Sequence, residues 1–175
     1  MGLDMYLYKF KKNCNFEDRL WMQIVWYVFD TKTVESNSLR NFLKSYKMDN
    51  DKDDKRSTDL LNMSIYWRKA NMIHNWFYEK CVFLNEPDNK PMLVKTTHLI
   101  ELLDLCKNIL LHKEETLSGK TDYVIEHLPT RSGFFFGSTK YDEDYFIDVE
   151  DTVKHLEETI NKAEDNELFM YVADY

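Results

Sequence analysis

Trp67, Asn71, His74 and Tyr78 follow one another at steps of four, three and four residues, with Arg68 and Lys69 alongside. On a helix this spacing sets an indole, an amide, an imidazole and a phenol along one side. Such a stripe can stack on a planar ligand, hydrogen-bond to its edge and bring a guanidinium to an anionic group. The same residues also have a plainer use, in which Trp67 edges the core while Asn71 and His74 tie down neighbouring loops.

A second group of polar side chains lies in residues 129–141. Thr130, Ser132, Ser138, Thr139 and Tyr141 offer hydroxyls, Arg131 a forked cation, and Gly133 and Gly137 bracket Phe134, Phe135 and Phe136. Glycine lets a ligand approach the backbone closely, and a donor-rich turn leading into a helix can hold an anion. Asp142, Glu143 and Asp144 oppose that use, because they already complement the helix dipole and would repel a phosphate. A buried strand with a turn at either end is the competing reading of the Gly-bracketed triplet. The binding candidates are therefore Trp67, Arg68, Asn71, His74, Thr130, Arg131, Ser132, Ser138 and Tyr141. They form one pocket only if the two segments are neighbours in space.

Other chemistries find little support. There is no Gly-x-x-x-x-Gly-Lys-Ser/Thr phosphate loop, no Gly-x-Ser-x-Gly elbow and no His-Glu-x-x-His pair. Cys14, Cys81 and Cys106 are far apart and odd in number, which suggests reduced cytosolic thiols rather than a zinc site or a disulfide framework. Asp49, Asp51 and Asp53 imitate the start of a calcium loop, but Asp54 stands where the loop needs glycine and Leu60 where it needs glutamate. No catalytic residue, metal ligand or cofactor is assigned. A net charge of −8 argues against direct binding to nucleic acid, and neither a membrane span nor a signal peptide is readable.

The elements that must carry these residues follow from periodicity. Alternation predicts strands over residues 3–10 and 168–172. Helical spacing predicts helices from Asn15 to about Asp30, over 38–46, from Thr58 or Asp59 to about Lys80, from Thr97 to about His112, and from Asp142 or Asp144 to about Ala163. Residues 49–58 read as a solvated charged loop, and residues 82–95 as a hairpin or a strand and loop. At 175 residues, 43% of them apolar, the chain can bury one core. The expectation is a single α+β domain over residues 1–175, with amphipathic helices on a small antiparallel sheet that includes the first and last strands.

Four segments together resemble a family of small uncharacterised proteins of bacteriophages and prophages. They are Met1-Gly-Leu-Asp-Met-Tyr-Leu7, Tyr66-Trp-Arg-Lys-Ala-Asn-Met-Ile-His-Asn-Trp-Phe77, Leu128-Pro-Thr-Arg-Ser-Gly-Phe-Phe-Phe-Gly-Ser138 with Tyr141-Asp-Glu143, and the amphipathic helix that follows. The resemblance covers residues 1–10 and about 64–175, and residues 11–60 look like a region that varies within the family. Arg131 and the ending Met170-Tyr-Val-Ala-Asp-Tyr175 depart from the family pattern. The resemblance implies a phage setting in the cytoplasm of a host bacterium, and it carries no chemistry with it.

The leading expectation is a non-catalytic accessory protein that binds, and so inhibits, a host factor such as a defence component. Acidic runs at 49–54 and 142–151 would engage a basic, nucleic-acid-binding surface of that partner. The alternatives are a small-molecule or nucleotide binder built on the composite pocket, and an uncharacterised enzyme.

Overall fold

The computed structural model describes residues 2–12, 15–31, 61–81 and 91–175. The elements in chain order are β1 (Asp4–Lys11), α1 (Asp18–Thr31), β2 (Asn62–Arg68), α2 (Asn71–Cys81), β3 (Met92–Val94), α3 (Thr96–Leu111), α4 (Lys113–Leu117), α5 (Asp122–His127), α6 (Glu143–Asn161) and β4 (Glu167–Asp174). The expected helix over 38–46, the charged segment 49–58 and most of the expected hairpin lie outside the described residues.

All four strands form one antiparallel sheet in the order β2-β1-β4-β3. The first and last strands pair along their whole length, from Asp4 opposite Asp174 to Lys11 opposite Glu167. The α+β architecture and the pairing of the chain's two ends are thus as the alternation predicts. β4 lies between β1 and β3 with both faces covered, which is why residues from Glu167 to Ala173 are buried without alternation.

The two sheet faces build separate cores. On one face Met5, Leu7, Ile65, Trp67, Val94, Phe169 and Tyr171 meet Ile73 and Phe77 of α2, Leu102 and Cys106 of α3, and Phe146 and Val149 of α6. On the other, Phe10, Leu168, Met170 and Val172 pack on Trp21, Met22 and Val25 of α1. The Trp21 indole donates to the Lys11 carbonyl at 2.8 Å and fixes α1 to the end of β1. Tyr8 packs against this second core, and Tyr6 stacks on Tyr8 and leans on Tyr66.

The segment read as one helix from Thr58 or Asp59 to Lys80 is corrected: residues 62–68 are strand, and the helix begins at Asn71. The edge of β1 supplies backbone partners from Asp4–Arg68 to Lys9–Asn62. A ladder of this kind outweighs a local helical preference. Lys69 then adopts φ +61, its N–H donating to the Leu3 carbonyl at 2.8 Å, and reverses the chain into α2. At α6 the expected cap is present: the Asp142 carboxylate accepts from the Tyr145 N–H at 3.4 Å. At α1 and α3 the starts shift, to Asp18 rather than just after Asn15, and to Thr96 rather than after Thr97. Among the described residues no helix is long and apolar enough to cross a membrane.

Candidate functional site

The first residue of α2 organises the neighbouring loop. Asn71 is almost fully buried, and its Nδ2 donates to the carbonyls of Phe136 at 3.0 Å and Ser138 at 2.7 Å. Its Oδ1 accepts from the Arg131 N–H at 3.1 Å. One amide thereby fixes the loop at three points, using both donors and its acceptor. The loop is held from other directions as well. The Leu3 N–H donates to the Phe135 carbonyl at 3.2 Å, and the Thr130 hydroxyl donates to the Thr139 carbonyl at 3.2 Å. The Tyr141 hydroxyl accepts from the Thr130 N–H, and the Ser138 hydroxyl from the Lys140 N–H.

Within this frame the three phenylalanines diverge. The Phe136 N–H returns to the Gly133 carbonyl at 3.3 Å, closing a turn that drives Phe136 inward between the rings of His74 and Tyr175. A Cβ on Gly133 would come within 2.6 Å of the Phe136 ring, so the turn needs glycine there. Gly137 has φ +90, in the left-handed region that favours glycine. Phe134 is left 94% exposed, with Phe135 edge-on beside it at 4.6 Å and 37% exposed.

No family model, curated protein or solved structure matches the chain.

The predicted site residues separate accordingly. Asn71 and His74 do lie against residues 130–141, but the contact is closed rather than a concavity, because both side chains are buried. His74 Nδ1 lies 2.8 Å from the Tyr171 hydroxyl, well inside the core. Trp67 does not join them. It projects from β2 into the core, donates through Nε1 to the Thr152 hydroxyl of α6 at 2.9 Å, and meets the Phe77 ring edge-on. The expected helical stripe of Trp67, Asn71 and His74 is therefore corrected: a strand and a turn separate the first residue from the other two. Arg68 points from the opposite sheet face, 3.9 Å from Asp4. Arg131 lies over the Tyr78 ring, 3.9 Å from its centroid. The buried-strand reading of Gly133–Gly137 is also corrected, since the turn at 133–136 replaces it. Phe134 and Phe135 were absent from the sequence-based candidates. The only signal for them was an aromatic triplet between glycines in an otherwise mainly polar, uncharged stretch.

Among the described residues burial shifts the titratable side chains of Cys81, Cys106 and Asp148 far from their ordinary values. Burial pushes the Cys81 and Cys106 thiols up to about 12, so both are protonated and weakly nucleophilic at neutral pH. Burial, followed by the charges of Asp151 and Asp144, raises Asp148 on α6 from 3.8 to about 6. A carboxyl raised on folding leaves stability undiminished below its unfolded value and lowers it as pH rises through the folded value. Asp148→Asn should therefore raise the melting temperature at pH 7 and flatten the rise in stability that the parent shows on acidification through that window. Thermal melts across the range check this, and an unchanged profile would remove Asp148 as its source.

Proposed function

We propose that the chain is a non-catalytic accessory protein that acts by docking a protein partner on the loop 131–138. The observation that carries this reading is Phe134, held almost fully in solvent by a loop that the Asn71 amide pins at three points. Exposing an aromatic ring on a rigid support lowers the ordering cost of association, and aromatic anchors of this kind dominate interface energies. The phage-family resemblance supplies the setting: a host bacterium's cytoplasm, with a host factor, such as a defence component, as the protein bound and inhibited. Residues 142–151 support an opposing basic surface less well than their sequence suggests, because Glu143 and Glu150 are neutralised by Lys113 at 3.2 and 3.0 Å. A small-molecule reading draws less support, since the Asn71 amide is engaged by backbone and the Trp67 N–H by Thr152.

The test is affinity capture from host lysate with the parent and with Phe134→Ala/Phe135→Ala. Phe134 is 94% exposed and contributes little to folding, whereas Phe135 is only 37% exposed, so Phe134→Ala alone is run beside the double variant and should melt like the parent. Partner affinity should fall by about tenfold or more, as expected when an anchor residue is truncated. A partner retained equally by both chains would place the contact elsewhere.

A further inference from the structure

We infer that the partner is concave and offers an uncharged apolar pocket for the Phe134 ring, so that the loop enters the partner as a plug. This deepens the docking reading above and rests on it. Phe134 is 94% exposed, so its ring stands clear of the surface, with the Phe135 edge beside it at 4.6 Å. A flat surface laid on a protruding ring meets its tip and little else. One aromatic side chain supplies roughly 200 Å² of contact, whereas a stable interface covers about 800 Å² on each partner. Reaching that area requires a partner that closes around the ring and meets the loop on either side of it.

The loop is not free to flatten instead. The Phe136 N–H bonds the Gly133 carbonyl at 3.3 Å, and the Phe136 ring is wedged between those of His74 and Tyr175, with centroids 5.3 and 4.9 Å away. The Leu3 N–H holds the Phe135 carbonyl, and the Asn71 amide holds those of Phe136 and Ser138. With its backbone turned and these carbonyls engaged, the segment lacks the extended edge that strand addition needs. The feature left for a partner to recognise is the side chain.

The pocket's chemistry follows from the tip. From Ser132 to Thr139 the chain carries no charged side chain, although its net charge is −8. The guanidinium of the flanking Arg131 lies over the Tyr78 ring, 3.9 Å from its centroid. A charged pocket would lose its hydration against these residues and gain no counter-charge from them, whereas apolar walls gain by the contact. Ser132, Ser138 and Thr139, all exposed, match the polar rim that surrounds an apolar contact. An anionic bilayer, by contrast, meets a chain of its own sign.

The full chain, Phe134→Ala, Phe134→Leu and Phe134→Trp are titrated against the host protein that the parent retains, purified after capture. The position is exposed, so all three variants should melt like the parent. A pocket fitted to phenyl is overfilled by indole and underfilled by the smaller side chains. Affinity should therefore peak at phenylalanine, falling about fivefold or more for tryptophan, less for leucine, and about tenfold or more for alanine. Raising sodium chloride from about 0.05 to 0.5 M should change the parent's affinity by less than about threefold, because no charge lies at the tip. Tryptophan binding as tightly as phenylalanine, or more tightly, would mean a flat apolar surface and overturn the pocket. So would a steep loss of affinity with salt, which would mean a charged contact. Sedimentation of the parent and binding to phosphatidylglycerol vesicles complete the test. A dimer that Phe134→Ala dissociates would make the occupant a second copy, and vesicle binding lost in that variant would make it a membrane. In these cases the pocket falls while the loop remains a contact surface. If the parent retains no host protein, or Phe134→Ala binds it as the parent does, the docking reading falls and the pocket with it.

Discussion

Trp67→Ala is expected to cost about 3–5 kcal/mol, a large share of the roughly 5–15 kcal/mol that holds a domain together. The indole is only 5% exposed, lies edge-on to Phe77 and bridges β2 to α6 through its hydrogen bond to Thr152. That hydroxyl donates in turn to the Asp148 carbonyl at 2.7 Å, so truncation both opens a cavity and disturbs a side-chain-to-backbone link inside α6. At about 2–4 °C per kcal/mol for a chain of this length, the melting temperature should fall by roughly 10 °C. Trp67→Phe keeps most of the packing and gives up the hydrogen bond, a loss nearer 1 kcal/mol. Denaturant titrations of both variants, beside Phe134→Ala as a surface control, measure the order. An alanine variant as stable as the control would mean that Trp67 is not a core residue, and its suitability as a ligand-stacking ring would return.

How far the fold can be read from sequence depends on whether an element is specified locally. The strand β1 and the helix α6 carry their own signals: aromatic and aliphatic alternation in one, apolar spacing behind the Asp142 cap in the other. The strand β2 does not. Tyr66, Ala70, Ile73 and Phe77 fall at helical steps across Lys69, although Tyr66 belongs to a strand and the others follow the reversal. What makes residues 62–68 a strand is the edge of β1, far away in sequence. The site shows the same division. That Asn71 and His74 need polar partners was readable from their place on a helix, but that they meet residues 130–141 was not, since it requires two distant segments to be neighbours in space. That the meeting is a latch was not readable either, since two of the three bonds are to carbonyls, which every residue possesses. Nor do three consecutive phenylalanines announce which will be exposed. The turn from Gly133 to Phe136 decides it by sending the last one inward.

Asn71→Asp should destabilise the protein at neutral pH more than Asn71→Ala does. Alanine removes three hydrogen bonds, worth about 2–4 kcal/mol in all at a net value near 1 kcal/mol each, and lets the loop relax. Aspartate keeps the acceptor for the Arg131 N–H but replaces the amide donor with a carboxylate oxygen facing the carbonyls of Phe136 and Ser138. A buried charge set against two carbonyl dipoles is worse than a missing donor. The pH dependence identifies the cause. Burial and those carbonyls would raise the new carboxyl above its unfolded value of about 3.9. Its penalty is then absent below that value and complete above the folded one. Acidification should therefore narrow the gap to the parent for the aspartate variant, where a protonated carboxyl can donate one bond, and leave the alanine gap nearly unchanged. Hydrogen exchange at the Arg131 and Phe136 amides should accelerate in both variants, and partner capture through Phe134 should fall with the loss of a rigid mount. An aspartate variant as stable as the parent at neutral pH would show that the amide is not what holds the loop, and the rigid presentation of Phe134 would need another source.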